Sequence, residues 1–150
     1  MRQRGLSAET QVLSSELISA PEDIAELLAV NSNMELAHLE RLRIADGEPI
    51  SIEESFIIHR FCPNVLDGDY ENHSLRRALE EEYGIELVSA HQKIRAIAAS
   101  KDLARKLSIS QGDALLYTER ISYMSPDVPV EFIRIYYRGD RYVFHSELQG

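Results

Sequence analysis

Residues 35–58, ELAHLERLRIADGEPISIEESFII, decide how this chain folds. Glu35 to Ala45 and Ile50 to Ile58 alternate apolar and polar side chains on either side of Asp46-Gly47, and such a pair between alternating runs is a strong short-range hairpin signal. Turn length then sets which residues face each other. A two-residue turn pairs Ala45 with Glu48 and sets Arg41 across from Ile52, leaving Glu53 on the other face. A three-residue loop of Asp46, Gly47 and Glu48 instead pairs Arg41 with Glu53 and Arg43 with Ser51. The second register is preferred, because it gathers Arg41, Arg43, Ser51 and Glu53 on one face and Leu42, Ile44, Ile50 and Ile52 on the other. Two arginines at i and i+2 of a strand share a face about 7 Å apart, wide enough to close on one anionic group from two sides. Taken on spacing alone, a cross-strand ion pair on a wet sheet face is the better account of Arg41 and Glu53.

Outward from the hairpin, Thr10 to Ile18 reads as a first strand. Pro21 opens a short helix at its first helical position, with Ile24, Leu27 and Leu28 as its apolar stripe and its end near Asn31. Phe61 to Tyr70, dense in Pro, Asn, Asp and Gly, is a loop. Ser74 to Tyr83 forms a second helix with Leu75, Ala78, Leu79 and Tyr83 on one face and Gly84 as its stop. Ile85 to Ala98 is a strand. Ser100 caps a third helix with Leu103, Ala104 and Leu107 inward, and Gln111-Gly112-Asp113 turns the chain. Ala114 to Met124 and Val130 to Tyr137 are long strands joined across Ser125-Pro126-Asp127, and Tyr142 to Ser146 is a last extended piece. The whole predicts an α+β domain, a mostly antiparallel sheet with short flanking helices.

The chain has 150 residues, 44% of them apolar, which suits one domain with a real core. Its 16 basic and 25 acidic residues give a formal charge of -9, so its surface should repel nucleic-acid phosphates and anionic membranes. No run approaches the roughly 18 apolar residues of a membrane span, and no signal-peptide core follows the first residues, so the chain reads as cytoplasmic. The single cysteine, Cys62, has no CxxC partner, and the five histidines lack HxH or HExxH spacing; no metal site or other cofactor is expected.

Further polar groups stand apart from the hairpin. Ser74 lies where the second helix starts, and a helix N-terminus offers free N–H groups to an anion, although taken alone simple capping by Ser74 or Asn72 is the better account. Arg76 in the first turn opposes the helix dipole, which makes sense where an anion or a carboxylate sits nearby. On the last long strand Glu131, Ile133, Ile135 and Tyr137 share a face, a carboxylate and a phenol bracketing two isoleucines. Arg138-Gly139-Asp140-Arg141 reads as a turn held by its own charges, with the glycine supplying a positive φ.

The ordered combination is more specific than any one block. The Arg41-Leu42-Arg43 strand, Ala45 to Ile50 with Glu53 after it, Leu107-Ser108-Ile109 leading to Gly112, Pro129-Val130-Glu131, and Tyr137 to Tyr142 together resemble the UTRA domain, the effector-binding half of HutC-type regulators in the GntR family. The likeness runs from Arg4-Gly5 to about Glu147. It implies a chorismate-lyase-like fold with a six-stranded antiparallel sheet, sensing a metabolite and altering DNA binding by a winged-helix domain placed before it. That domain is absent from this sequence, and Arg4-Gly5 resembles the junction after it. By matching motif, phosphate-holding roles fall on Arg41, Arg43 and Ser74, and hydroxyl-holding roles on Glu53, Glu131 and Tyr137. The chain departs from amino-sugar-phosphate binders at Ser74-Leu75-Arg76, where a serine, an apolar residue and a tyrosine are usual. A ligand more acidic or smaller is then expected, or a pairing of Arg76 with Glu53 or Glu131.

The leading expectation is a non-enzymatic sensor of a small anionic metabolite, a phosphorylated sugar or a carboxylate or phosphonate, acting as a homodimer through the sheet and touching DNA only through the winged helix. The alternative is a lyase on an aromatic dicarboxylate, with Glu53 or Glu131 as acid. A third reading, a pure dimerisation module whose pocket has lost its ligand, would be supported by a closed, salt-bridged cluster at Arg41 and Glu53.

Overall fold

The computed structural model describes residues 8–149, so the Arg4-Gly5 junction lies outside the described residues. Six strands, Ala8–Ser19 (β1), Glu35–Ala45 (β2), Glu48–Ile58 (β3), Ser89–Ala98 (β4), Ala114–Ser125 (β5) and Val128–Arg138 (β6), form one sheet in the order β1-β2-β3-β6-β5-β4. Every pairing is antiparallel. Three helices, Glu22–Leu27 (α1), Leu75–Tyr83 (α2) and Lys101–Leu107 (α3), flank it. Among the described residues no helix is long and apolar enough to cross a membrane.

Alternation sends each strand's side chains to opposite layers. On one face Ala37, Leu39 and Ile57 pack beneath α2 through Leu75 and Leu79, together with Val65 and Tyr70 of the preceding loop. On the other, Leu36, Phe56, Ile58 and Phe132 pack beneath α1, and Leu42, Ile52 and Leu115 beneath α3. This second face also buries polar chemistry. Burial alone would raise the Glu54 carboxyl, but hydrogen bonds from His38 at 2.9 Å and Arg134 at 2.8 Å hold it near about 2. Cys62 is fully buried, and burial followed by the charge of Glu131 pushes its thiol up to about 11, which leaves it inert at neutral pH.

The hairpin resolves the question of register in an unexpected way. Arg41 pairs with Glu53 and Arg43 with Ser51, the preferred register, yet Ala45 pairs with Glu48 across a two-residue turn. Both hold because the register shifts between Arg43 and Ile44, leaving Ile50 as an extra residue beside Pro49. A proline has no N–H to continue the ladder, so a bulge there costs little pairing. The expected three-residue loop is thus replaced by a tight turn plus a bulge. Asp46 and Gly47 both adopt positive φ, 50° and 78°, as a type I′ turn requires. Open space surrounds a Cβ at position 47, so Gly47→Ala is expected to cost only the left-handed penalty, about 1 kcal/mol, read as a lowered denaturation midpoint with an unchanged slope.

Several boundaries shift for physical reasons. Pro21 caps α1 and Glu22 is its first residue; the helix ends at Leu27, short of Asn31. Two 3-10 turns, His59–Phe61 and Val65–Asp67, order the loop that follows β3. β4 starts at Ser89, because the Ile85 N–H closes the α2 cap on the Leu79 carbonyl. Its Ile94, Ala96 and Ala98 face is exposed, as befits an outermost strand. Residues 142–146 join no strand. Arg138 does hold its turn, donating to Asp140 at 2.8 and 3.1 Å and to the Pro49 carbonyl at 3.1 Å, while Arg141 pairs with Glu48. Gly139, however, is required by close approach and not by φ: a Cβ there would lie 2.6 Å from the Ala114 carbonyl oxygen.

Candidate functional site

A cavity of about 450 Å³ opens on the α2 side of the sheet. Its floor crosses five strands through Thr10 of β1, Arg41 and Arg43 of β2, Glu53 and Ser55 of β3, Glu131 and Ile133 of β6, and Arg120 of β5. Tyr70 to Arg76 and Leu87 form its wall. The registers explain the convergence: Arg41 faces Glu53, Ser55 faces Ile133, and Arg120 also faces Ile133, so side chains distant in sequence share one face in neighbouring rows.

Six of the seven residues singled out from the sequence line this cavity: Arg41, Arg43, Glu53, Ser74, Arg76 and Glu131. Arg41 is buried and paired with Glu53. Arg43 is more exposed; it donates to Thr10 Oγ1 at 3.2 Å and stands 3.9 Å from Glu53. Ser74 caps α2 by accepting the Arg77 N–H at 3.2 Å, which leaves its own O–H available to the cavity. Arg76 pairs with Glu80 at 3.3 Å along the helix, and not with Glu53 or Glu131 as the sequence had suggested. The side-chain spacing of one helical turn puts Glu80 within easier reach than the sheet. Tyr137 stands apart from the lining; its ring stacks on Tyr142 with centroids 4.0 Å apart. Burial, then the Tyr142 and Glu53 charges, pushes its hydroxyl up to about 12, so it stays a neutral donor.

Glu131 is buried at 3% exposure. Burial pushes its carboxyl up to about 7, while Arg120, Arg41 and Arg76 pull against the shift and Glu53 adds to it. Near neutral pH it can therefore donate as well as accept a hydrogen bond.

Arg120 is the residue the sequence reading missed. Its alternation with Thr118 and Ser122, opposite Tyr117, Glu119 and Ile121, was visible, but nothing local tells that the β5–β6 pair docks on β3 and so joins the hairpin's floor. The wall is fastened as well. Asp69 accepts the Asn72 amide at 2.7 Å and the Glu71 N–H at 3.2 Å, and Tyr70 donates to the Val65 carbonyl. Glu71 in turn accepts the Val12 N–H at 2.7 Å, next to the irregularity that displaces Leu13 from the β1–β2 ladder.

Arg41 and Glu53 do form a salt bridge, but they do not close the site. Among the described residues, the buried side-chain polar atoms without a hydrogen-bond partner are Arg41 Nε, Ser55 Oγ and Arg120 Nε, and all three residues line this one cavity. Leaving such groups unmet costs about 1–3 kcal/mol each, so native proteins rarely keep them without a use. Four arginines against three glutamates make the lining cationic in a chain that is acidic overall. Chemically, the cavity can hold an anion and hydrogen-bond a polar body beside it.

Comparison with known proteins places this geometry. Residues 3–143 match the model of the UTRA domain. The chain is 26% identical over 144 residues to the HTH-type transcriptional repressor NagR of Bacillus subtilis (strain 168), covering 96% of this chain and 59% of that protein, so it spans well under two thirds of that relative. The crystal structure of a GntR-family transcriptional regulator from Enterococcus faecalis V583 superposes with a TM-score of 0.84 at 28% identity, covering 93% of this chain and 99% of that one. The effector domain of PhnF from Mycobacterium smegmatis shares the fold with a TM-score of 0.88 at 24% identity, covering 98% and 90% of the two chains.

Proposed function

This chain belongs to the UTRA domain family, and from that premise we propose that it senses a small anionic metabolite, a phosphorylated sugar or a carboxylate or phosphonate, and passes its occupancy to a DNA-binding domain. The observation that carries this reading is the convergence of three unsatisfied buried polar atoms on one arginine-lined cavity. In it, Arg41, Arg43 and the Ser74 hydroxyl hold the anion, and Glu53 and Glu131 take hydroxyls of the body. Tyr137, stacked on Tyr142, lies outside this lining. NagR and the E. faecalis protein are named as transcriptional regulators, which favours sensing over the lyase reading.

The protein acts in the cytoplasm as a homodimer through the sheet. Outermost strand β4 is exposed along almost its whole length and carries Ile94 at 41% exposure, the kind of edge that natural proteins cover by pairing. Coupling of cavity to operator then requires that the ligand bind two arrangements of the dimer with different affinity.

A thermal-shift screen of sugar phosphates, phosphonates and organic acids tests the proposal with Arg43→Ala as its control. Arg43 is 42% exposed and only loosely engaged with Glu53, so the variant should fold. Some anion should raise the wild-type melting temperature by several degrees, and Arg43→Ala should lose most of that response, about tenfold in affinity. Equal responses of the two proteins would remove the anion role from this cavity.

A further inference from the structure

The cavity has two cationic ends. Arg41 and Arg43 stand on β2 and Arg120 on β5, with β3 and β6 between them. Three steps across a sheet separate their backbones by about 14 Å. The floor between is less basic, built from Glu53, Ser55, Glu131 and Ile133.

The two ends are also differently engaged. Arg41 is paired with Glu53, and Arg43 donates to Thr10. Arg120 makes no hydrogen bond and no ion pair with any described residue, and its Nε is buried. The buried carboxyl of Glu131 feels its charge, but burial drives that carboxyl toward the neutral form, so it offsets the guanidinium only in part. Arg76 and Leu87 join Arg120 in lining a second hollow of about 240 Å³ that shares these three residues with the cavity, so there is open space on both sides of Arg120. A single phosphate held at the hairpin would leave this end unanswered.

We propose that the ligand carries two anionic groups, one held by Arg41 and Arg43 and the other by Arg120 with Arg76 beside it, and that its body lies over Ser55 and Ile133. The inference rests on the reading of this cavity as an effector site and names the ligand class: a phosphorylated sugar acid or an extended dicarboxylate. Arg120 is then the residue that distinguishes such ligands from singly anionic ones. Arg76 exchanges its exposed bond with Glu80 for the ligand, a small cost for a surface pair.

Calorimetric titration with matched ligands tests it: glucose 6-phosphate against 6-phosphogluconate, and hexanoate against adipate, each with wild type, Arg43→Ala, Arg120→Gln and Arg120→Lys. In wild type the second anionic group should raise affinity at least about tenfold. Arg120→Gln should erase that gain while leaving the singly anionic partner's affinity unchanged, and Arg120→Lys should keep much of it. Because Arg120 makes no hydrogen bond or ion pair with a described residue, Arg120→Gln should still fold, and its melting temperature without ligand separates a binding loss from a folding loss. Equal wild-type affinities within both pairs, or equal weakening of both members by Arg120→Gln, would overturn the two-ended ligand. If singly anionic ligands bind through Arg43 without any gain from the second group, the effector site stands and this inference alone falls. Should none of the four compounds bind wild type, the effector reading falls and takes this inference with it.

Discussion

Arg41→Ala is expected to lower stability by about 3 kcal/mol and to abolish the response to every anion that wild type recognises. The arginine side chain is 6% exposed and the paired Glu53 side chain 14%, so truncation leaves a carboxylate in a half-dry cavity with only Arg43, 3.9 Å away, to answer it. For a domain of this size the loss corresponds to a melting temperature lower by roughly 6–12 °C. Removing both charges should be much less harmful than removing one, since Arg41→Met with Glu53→Gln strands neither group. The double-mutant cycle should therefore give a coupling above about 1 kcal/mol. Denaturant titration of the four proteins measures it, and additive effects would mean that Arg41 and Glu53 do not act as a pair.

Glu131→Gln should make the protein more stable above neutral pH, the reverse of what loss of a structural carboxylate does. The carboxyl titrates at 4.5 when unfolded and is pushed up to about 7 in the folded chain by burial, against Arg120, Arg41 and Arg76 and with Glu53. Between these values the folded state holds a proton that the unfolded state has released. Stability from this group is therefore fully present below pH 4.5 and is lost as pH rises through about 7, by roughly 3 kcal/mol in all. Glutamine cannot ionise and keeps nearly the same shape, so the two proteins should melt alike near pH 4.5 and diverge toward pH 8. Glu54, held near about 2 by His38 and Arg134 once burial is overcome, behaves oppositely: its contribution is present above 4.5 and disappears as pH falls through about 2. It is common to both proteins and cancels in their difference. A wild-type-minus-variant difference that stays flat from pH 4.5 to 8.5 would mean that Glu131 is ionised and compensated throughout. If Glu131 meets the ligand body as proposed, its neutral form would be a donor there, and affinity for a hydroxylated anion should change with pH around 7.

Much of this was legible in the sequence because alternation and turn chemistry are local. The bounds of β2, the α2 stripe with Gly84 in the left-handed region, and the Ser100 cap accepting the Leu103 N–H all follow from neighbours within a few residues. The hairpin register was readable from its polar and apolar faces, but the route to it was not: only the backbone reveals that the turn is tight and that Ile50 absorbs the offset. Arg41, Arg43 and Glu53 were legible because they face each other within one hairpin. Arg120 was hidden because its meaning depends on strand order, which puts β6 beside β3 and so brings its hairpin partner β5 to the cavity floor. Tyr137, outside the cavity lining, is the complementary case. It shares a face with Glu131, yet Tyr142, beyond the next turn, takes its ring.

The bond from the Val12 N–H to Glu71, 2.7 Å long, makes the cavity wall and the outermost strand β1 mechanically one piece. An occupant that shifts Asn72 or His73 must either break this tether or pull on β1 at the point where Leu13 already bows out of its ladder. A displacement of the wall would therefore be felt in β1 through a single hydrogen bond and the peptide chain, without a relay of side chains.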